Sequence, residues 1–344
     1  MEKTRLALVG AGVIGKRHLA AIQTCPEIEL VALCDPFPGA AETASAHDVP
    51  IHTEIDDMLR AEAPHGVIVA TPTEHHLEPA SKALEAGAHV LVEKPITATM
   101  QEAERLIQLS ASRDRHVLVG HQRRYYDCVH EARTIVQGGQ LGKLVGLCGQ
   151  WTTRKHDDYY TPDWRKRPAA GPVLTNLIHE IDCLRYICGE IISISGTTSN
   201  AVQSFEKEDV AALVLEFANG ALGTFLLSDQ AISPWTWEFA TGENAACPKT
   251  GQNATRFMGT QAALEFPNLV LWRHETVQKD WRQPFVATPL TQSIGDAYHA
   301  QIRHFGAVIR GECEPRIDAA DAAKSLKATV ALFEASETGR KIIL

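Results

Sequence analysis

Two stretches of the chain carry polar side chains whose types and spacing could support chemistry. Lys94 stands between Glu93 and a proline, and a later segment repeats polar residues at intervals of three, as Asn176, His179 and Asp182. On a helix this interval brings side chains to roughly one face. An ammonium can stabilise negative charge that develops on an oxygen, and an imidazole can exchange a proton near neutral pH. On these residues alone, a solvated lysine and a core histidine remain the simpler alternatives.

Nucleotide binding is indicated near the N-terminus, where Gly10-Ala-Gly12-Val-Ile-Gly15 follows a predicted strand and opens a predicted helix. In such a loop the first glycine turns tightly, the second lets the backbone approach a pyrophosphate, and the third permits close helix–strand packing. Asp35 lies 20 residues after Gly15, where a carboxylate can accept hydrogen bonds from an adenosine ribose. No Lys or Arg occurs between Asp35 and Arg60, so NAD is favoured over NADP. Two alternatives stay open: the glycine loop could bind FAD, and Asp35 could serve only to cap the turn after its strand.

These side chains need a scaffold, and the first 120 residues alternate β-rich apolar runs with amphipathic stretches. The predicted strands are Arg5–Val9, Ile28–Cys34, Gly66–Ala70, His89–Glu93 and His116–Gly120. The predicted helices include Val13–Thr24, Glu54–Ala63, Glu74–Ala86 and Met100–Arg113. Strands that are apolar at nearly every position suit a parallel sheet covered on both faces. We therefore predict a doubly wound α/β sheet that delivers Thr71, Lys94 and Gln122 to the strand ends, where such sheets bind ligands.

After residue 120 the pattern changes to longer alternating runs. Asp209–Phe217 and Ala221–Leu227 are joined by Asn219-Gly220, a strong hairpin signal. The other predicted strands are Lys143–Thr153, Trp235–Ala240, Arg256–Phe266 and Leu269–Arg273. The predicted helices are Asp127–Gln137, Val173–Cys188, Asp296–Arg310 and Asp318–Thr338, with a polar and aromatic loop over 154–172. This half predicts an α+β domain with a large, mostly antiparallel open sheet.

Composition narrows the function classes. The chain has 344 residues, of which 33 are basic and 42 acidic, and its net charge of −9 argues against a dedicated nucleic-acid binder. No apolar run approaches the ~20 residues of a membrane span. Lys16, Arg17 and His18 follow the N-terminal apolar stretch without a cleavage site, so no signal peptide is predicted. Eight cysteines without a CxxC pair indicate reduced thiols in a cytoplasmic protein, with neither disulfides nor a metal site.

The combined motifs resemble the Gfo/Idh/MocA oxidoreductases, a family that includes glucose–fructose oxidoreductase and inositol dehydrogenase. The motifs are the glycine loop, Thr71-Pro72-x-x-x-His76, Glu93-Lys94-Pro95 and the Gly-Pro-x-Leu-x-Asn-x-x-His-x-x-Asp segment around His179. The resemblance implies an N-terminal Rossmann domain over 1–122 and a C-terminal α+β domain for substrate binding and oligomerisation over 123–344. It also implies a homodimer or homotetramer formed through the C-terminal sheet. The implied activity is hydride transfer between NAD and a hydroxyl-bearing carbon of a sugar, cyclitol or related polyol.

The resemblance further implies roles for individual residues. Lys94 matches the lysine that hydrogen-bonds the reacting hydroxyl, and His179 matches the histidine that acts as general acid and base. The implied cofactor-binding residues are Gly10, Gly12, Val13, Ile14, Gly15, Asp35, Thr71, Pro72, His76, Glu93, Lys94 and Gln122. The implied substrate-binding residues are Lys94, Arg123, Tyr160, Trp164, Arg165, Thr175, Asn176 and His179.

One departure from the family pattern concerns the helix of the histidine. Inositol dehydrogenase-like members carry an Asp four residues before it, whereas this chain has Thr175 followed by Asn176. A hydroxyl and an amide can hydrogen-bond a substrate but cannot raise the basicity of the histidine as a carboxylate would, and either residue could take that place. Three other activities stay open: an NAD-dependent glycoside hydrolase, an NAD-binding sensor without turnover, and a NADP-dependent reductase, which Asp35 disfavours.

Overall fold

The computed structural model of the chain describes residues 2–290 and 294–344. The chain divides into two compact units, Met1–Tyr125 with Asp296–Leu326, and Tyr126–Gly295 with Lys327–Leu344. This division differs from the predicted one, which assigns all of 123–344 to the C-terminal domain. Residues 296–326 belong to the first unit because Ile302 and Phe305 lie in its buried apolar cluster. The domain assignment by function stays a prediction.

The strands and helices follow the chain in this order. The strands are β1 (Thr4–Val9), β2 (Ile28–Cys34), β3 (Ile51–His52), β4 (Gly66–Val69), β5 (His89–Val92), β6 (Val117–Val119), β7 (Leu144–Thr152), β8 (Ile191–Ser199), β9 (Val210–Phe217), β10 (Leu222–Ser228), β11 (Thr255–Gly259), β12 (Ala262–Phe266), β13 (Val270–His274), β14 (Phe285–Pro289) and β15 (Ile342–Ile343). The helices are α1 (Val13–Gln23), α2 (Ala40–Ala46), α3 (Ile55–Glu62), α4 (Leu77–Glu85), α5 (Met100–Arg113), α6 (Asp127–Gln137), α7 (Ile178–Cys188), α8 (Trp237–Thr241), α9 (Ala297–Ile309) and α10 (Ala319–Thr338). None of these described helices is long and apolar enough to cross a membrane.

The described strands of the first unit form one parallel sheet in the order β3-β2-β1-β4-β5-β6. The chain therefore runs outward from β1 in one direction and from β4 in the other, which is the doubly wound Rossmann order with its switch point between β1 and β4. Apolar side chains on successive strands, including Leu8, Ile68 and Leu91, are buried in one cluster with the α9 residues. The predicted α/β class is confirmed.

The described strands of the second unit form a mixed sheet in the order β14-β13-β12-β11-β7-β10-β9-β8-β15. Its neighbours pair antiparallel except β7 with β10, which are parallel. The predicted hairpin is confirmed, with β9 and β10 joined through Gly220 at φ +86°. Burial alternates along these strands because successive side chains point to opposite faces. Apolar side chains on the exposed positions include Val145, Val214, Leu222, Leu226 and Met258.

Several details of the second unit differ from the prediction. The strand predicted at Trp235–Ala240 is wrong, because Thr236 caps a short helix there by accepting a hydrogen bond from the Phe239 backbone N–H at 3.1 Å. The single strand predicted at Arg256–Phe266 is two strands, β11 and β12. The helix predicted at Val173–Cys188 begins as a π-helical turn over Val173–Leu177 and continues as α7.

Candidate active site

The glycine loop joins β1 to α1, and its three glycines stand in different steric settings. Gly10 has a φ of +93°, and a Cβ there would lie 2.7 Å from the carbonyl oxygen of Ala70. A Cβ on Gly15 would lie 2.1 Å from the carbonyl oxygen of Gly10, so α1 could not approach the loop as closely. A Cβ on Gly12 would meet nothing within 4 Å. These settings suit a loop that turns tightly, packs closely and leaves one backbone position open to a ligand.

The first turn of α1 is available to an anion. Gly12 is its N-cap and supplies no side-chain cap, and the first hydrogen bond of the helix runs from the Lys16 N–H to the Gly12 carbonyl. Val13 is 83% exposed, and Ile14 is also exposed. A helix N-terminus offers unsatisfied N–H groups and the positive end of the helix dipole. Gly12, Val13 and Ile14 therefore fit the pyrophosphate of a dinucleotide.

Asp35 follows β2 directly, and the backbone fixes its carboxylate. The Ala11 N–H donates to Oδ2 at 2.8 Å and the Phe37 N–H donates to Oδ1 at 2.9 Å. Each carboxylate oxygen has a further lone pair with which to accept a hydroxyl. The contact to Ala11 places this carboxylate beside the glycine loop, where it fits a ribose with two free hydroxyls and would repel a 2′-phosphate.

Lys94 follows the carboxyl end of β5, next to a buried ion pair. Glu93 and His18 of α1 approach to 2.7 Å, between Oε1 and Nε2, with side chains 9% and 0% exposed. The other carboxylate oxygen of Glu93 accepts the Lys94 backbone N–H at 3.2 Å. A Cβ on Gly120, after β6, would lie 2.7 Å from Glu93 Oε1, so the glycine leaves room for the carboxylate.

Glu93 is held in its charged form at this position. Burial alone would raise the pKa of its carboxyl, but the hydrogen bond and charge of His18, together with the charge of Lys94, hold this pKa below its ordinary value. A carboxylate that is bonded on both oxygens has little freedom to turn. Glu93 therefore fixes the backbone from which Lys94 extends.

His76 joins the end of β4 to the segment after Lys94. Its Nδ1 lies 2.9 Å from the carbonyl oxygen of Pro95, and its Nε2 lies 2.9 Å from that of Thr71. The ring is buried, and burial lowers the pKa of His76 although both carbonyls favour its protonated form. The Thr71 hydroxyl donates to the His75 carbonyl at 3.0 Å, and Pro72 is exposed. His76 thus positions Thr71 and the Lys94–Pro95 segment relative to each other.

Gln122 and Arg123 lie in a 3-10 turn, Gln122–Tyr125, that follows β6. Their side chains are 8% and 2% exposed. The neighbouring Arg124 forms an ion pair with Asp321 of α10. Gln122 and Arg123 therefore follow β6. Thr71 and Lys94 follow β4 and β5, the strands next to it in the sheet.

In the second unit, the residues predicted around His179 lie at the start of a helix. Thr175 and Asn176 belong to the π-helical turn, and His179 lies in the first turn of α7, 9% exposed. The Thr175 hydroxyl lies 2.9 Å from the Gly171 carbonyl and 2.9 Å from Asn176 Oδ1. Single π turns often occur at functional sites. Asp182 is buried at 1% exposure.

The loop residues predicted to bind substrate have unequal settings. Tyr160 is buried, and its hydroxyl donates to Asp229 at 2.8 Å. Arg165 donates to the Tyr159 carbonyl at 2.9 Å and stacks over the Tyr159 ring at 4.1 Å. Trp164 is 58% exposed, beside Arg165. The structure thus brings Arg165 and Trp164 together, whereas Tyr160 belongs to a buried network.

Two side chains in these surroundings were not singled out from the sequence. His18 is the buried partner of Glu93, and its position three residues after Gly15 gave no sign of that pairing. Lys155 reaches Asn176, with its Nζ 3.4 Å from the Asn176 Oδ1. Both contacts join segments far apart in the sequence, so only the fold could reveal them. Across residues 2–290 and 294–344, no three His, Cys, Asp or Glu side chains are grouped to hold a metal ion.

Two family models match the chain. Residues 4–121 match the model described as "Oxidoreductase family, NAD-binding Rossmann fold", and residues 129–265 match the GFO/IDH/MocA C-terminal domain. Together the matches cover more than half of the chain, which is enough to establish family membership.

Individual relatives are more distant. The chain is 26% identical to the scyllo-inositol 2-dehydrogenase (NAD(+)) of Bacillus subtilis over an alignment of 353 positions. The alignment covers 100% of this chain and 97% of the relative. It is 28% identical to the 2,7-anhydro-N-acetylneuraminate hydratase of Mediterraneibacter gnavus, covering 61% of this chain but only 57% of that enzyme. The identities leave the substrate and the reaction to be proposed.

A solved structure confirms the fold. The WlbA dehydrogenase from Bordetella pertussis, in complex with NADH and UDP-GlcNAcA, superimposes with a TM-score of 0.81 at 20% identity, covering 100% of this chain and 99% of that one. At this identity the likeness concerns the fold alone, including the Rossmann sheet that carries the glycine loop and Lys94.

Proposed function

Because the chain belongs to the GFO/IDH/MocA oxidoreductase family, with an NAD-binding Rossmann fold in its N-terminal part, we propose that it is an NAD-dependent dehydrogenase of secondary hydroxyl groups. The substrate class is a sugar, cyclitol or related polyol. The observation that carries the proposal is the position of Lys94 at the carboxyl end of β5, two strands from β1 and its glycine loop. An ammonium at the carboxyl end of this strand suits a reacting oxygen.

The cofactor is held by groups of the first unit. The open backbone at Gly12 and the first turn of α1 fit the pyrophosphate, and the Asp35 carboxylate fits the adenosine ribose. Bound NAD+ supplies the acceptor for the hydride. Thr71, Pro72 and Gln122 follow β4 and β6, and His76, just before α4, brings its ring to the Thr71 carbonyl. These places suit residues that line or support the nicotinamide end.

The chain's own side chains carry the proton chemistry in this proposal. Lys94 donates a hydrogen bond to the reacting oxygen and stabilises the negative charge that develops there. His179 takes the hydroxyl proton during oxidation and returns it during reduction. Thr175 and Asn176 precede this histidine on its helix and provide hydroxyl and amide groups to polar groups of the substrate near the reacting carbon.

The proposal extends to assembly and location. The exposed positions of β7, β9, β10 and β11 carry Val145, Val214, Leu222, Leu226 and Met258, with Thr224 and Arg256 among them. The face that points away from the buried side of that sheet is therefore largely apolar with a few polar side chains. A face of this kind suits a homodimer or homotetramer, which light scattering on the purified protein would detect. The eight cysteines are free thiols, which suits the cytoplasm.

The test is a panel of sugars, cyclitols and polyols with NAD+ or NADP+, followed at 340 nm. We expect NADH formation with at least one compound, with NAD+ preferred, and a rate at least about 100-fold lower with Lys94→Ala. Binding of NAD+ without reduction of it by any compound would instead indicate a sensor. Cleavage of a glycoside without net NADH formation would indicate a hydrolase.

A further inference from the structure

Lys155 is a nearly buried lysine of the second unit whose charge is poorly matched. Its side chain is 15% exposed, and its Nζ lies 3.9 Å from Oδ2 of Asp229, beyond hydrogen-bonding distance. Its one hydrogen bond to another side chain within the described residues is the 3.4 Å contact to Asn176 Oδ1. The ammonium also lies 4.5 Å from the centre of the Tyr159 ring. Buried lysines are ordinarily paired.

Asp229 cannot supply the missing charge because it is committed elsewhere. Its Oδ2 accepts from Lys207 Nζ at 2.8 Å and from the Tyr160 hydroxyl at 2.8 Å. Lys207 and Asp229 are both fully buried, with side chains at 0% exposure. Oδ1 of Asp229 accepts from the Gln230 amide at 3.3 Å. The aspartate therefore neutralises Lys207, and Lys155 lies outside the pair.

The other charged groups around Lys155 make no hydrogen bond with its ammonium. The groups that act on it most strongly are Asp229, Lys207, Glu238 and Arg165. Glu238 already accepts the Trp151 indole N–H at 2.9 Å, and the buried Glu208, which interacts with Lys207, accepts the Val173 N–H at 2.8 Å. Among the described residues, no carboxylate lies within hydrogen-bonding distance of the Lys155 ammonium. Burial, partly opposed by Asp229, lowers the pKa of Lys155 to about 8, so the ammonium is still mostly protonated at pH 7.

We infer that Lys155 and Asn176 bind a carboxylate of the substrate, so that the polyol this protein oxidises is an acid, such as a uronic or aldonic acid. This inference rests on the proposed function and narrows its substrate class. The Asn176 amide nitrogen donates no hydrogen bond within the described part of the chain, so it and the ammonium are both available donors. Asn176 comes three residues before His179, the proposed proton acceptor.

A carboxylate fits this position better than the alternatives. A carboxylate would give the Lys155 ammonium the hydrogen-bonded anion that it lacks among the described residues, whereas a neutral hydroxyl brings no charge and a phosphate dianion brings two. Two adjacent donors also match the two oxygens of a carboxylate. Lys155 further lines an open cleft of about 480 Å³ together with Arg154, His156, Asp157 and Ser233, so solutes can reach Lys155. The Asp157 carboxylate is paired with Arg154 at 2.9 Å.

The experiment compares matched acids and neutral sugars on Lys155→Met and on a control. D-glucuronate and D-galacturonate are paired with D-glucose and D-galactose, at saturating NAD+. Lys166→Met removes a lysine of the same loop whose partner is the exposed Asp163. We expect Lys155→Met to lower kcat/KM for the acids roughly 10- to 100-fold, the range of a lost charge-assisted hydrogen bond. The kcat/KM of Lys155→Met for the neutral sugars should change less than about threefold, and so should the kcat/KM of Lys166→Met for every compound.

Binding is measured as well, by calorimetric titration of D-glucuronate into the NAD+-saturated protein. The wild-type affinity should fall as pH rises above about 8, the pKa of the Lys155 ammonium, because only the protonated lysine pairs with the acid. Lys155→Met should bind weakly at every pH. The pKa of Tyr159 is raised above its ordinary value by burial, so its phenol does not titrate in this window. Lys155→Arg should restore part of the binding.

The outcomes separate this inference from the function it rests on. If the wild type oxidises neutral sugars and shows no preference for acids, the carboxylate site is wrong and the dehydrogenase stands. If no compound is oxidised, the dehydrogenase fails, while the glucuronate titration still supports or overturns the site. A higher kcat/KM for glucose 6-phosphate than for glucuronate overturns the carboxylate site. So does an equal loss of kcat/KM for acids and for neutral sugars in a Lys155→Met variant that is folded.

Discussion

The surroundings of Lys94 and those of Asn176 differ in how far backbone groups hold them. Near Lys94, the ring nitrogens of His76 approach the backbone carbonyls of Thr71 and Pro95 and the Lys94 N–H donates to Glu93, although Glu93 also pairs with the His18 side chain. Near Asn176, side chains from separate segments bond to one another, as Lys155 does. Backbone-bound groups inherit their geometry from the sheet. We expect the first region to govern the reaction and the second to choose the substrate.

The largest effect is expected from removing the two proposed catalytic groups. Lys94→Ala and His179→Ala should each lower kcat by about 10²- to 10⁴-fold, since each removes proton transfer or charge stabilisation in the transition state. The dissociation constant of NAD+ and the melting temperature should stay close to wild type, as calorimetry can show. A near-normal kcat in either folded variant would remove that residue from the mechanism.

A second change tests the scaffold beneath Lys94. His18→Ala leaves the buried Glu93 carboxylate without its 2.7 Å partner, and an unsatisfied buried polar group costs on the order of 1–3 kcal/mol. Denaturant unfolding should show this loss, and His18→Gln, which keeps an N–H donor, should recover part of it. The exposed His75→Ala is the control. Unchanged stability in His18→Ala would mean that the pair is not a structural support.

The corresponding change in the second region should affect substrate use and leave NAD alone. Asn176→Ala removes an amide from the turn before α7, and a lost buried hydrogen bond costs on the order of 1–3 kcal/mol, so kcat/KM should fall roughly 10- to 100-fold. NAD+ affinity should be unchanged. Asn176→Asp would place a carboxylate 3.4 Å from Lys155 if the side chain keeps its place, and should favour neutral over acidic substrates. Wild-type kcat/KM in the alanine variant would make Asn176 structural.

The smallest expected effect concerns cofactor choice. Asp35→Ser removes a ribose acceptor and a charge that repels a 2′-phosphate, so the ratio of kcat/KM for NAD+ over NADP+ should fall about tenfold. Steady-state kinetics with both cofactors measure it, with the exposed Glu42→Ser as control. A ratio that does not move would take Asp35 out of cofactor recognition.

Sequence reasoning reached the first region well because its signals are local. The glycine loop, Asp35 and Lys94 each follow a strand whose run of apolar residues is visible in the sequence, and a parallel sheet aligns the ends of such strands. The observed strands β1, β2, β4, β5 and β6 lie within one or two residues of their predicted ends. His18 escaped because its pairing with Glu93 joins residues 75 positions apart.

The second region was less predictable because the contacts around Lys155 and Asp229 join side chains of separate segments, as the Glu93–His18 pair does in the first region. Asp229 meets Tyr160 and Lys207 across 69 and 22 positions, and no spacing rule links such residues. The short helix at Trp237–Thr241 contains aromatic residues, which favour strands. The Thr236 side chain caps its first turn and stabilises the helix instead. The π turn at Val173–Leu177 could not be distinguished from an ordinary helical turn by periodicity.

The glycine loop has one consequence for engineering and for natural variation. An alanine at Gly15 would collide with the loop backbone and so threaten the fold of the whole unit, whereas an alanine at Gly12 would extend into open space. Gly12→Ala is therefore a separation-of-function allele: the protein would accumulate normally in a cell while its dinucleotide site is sterically filled. Within this six-residue motif, Gly12 is needed for dinucleotide binding and Gly15 is needed for folding.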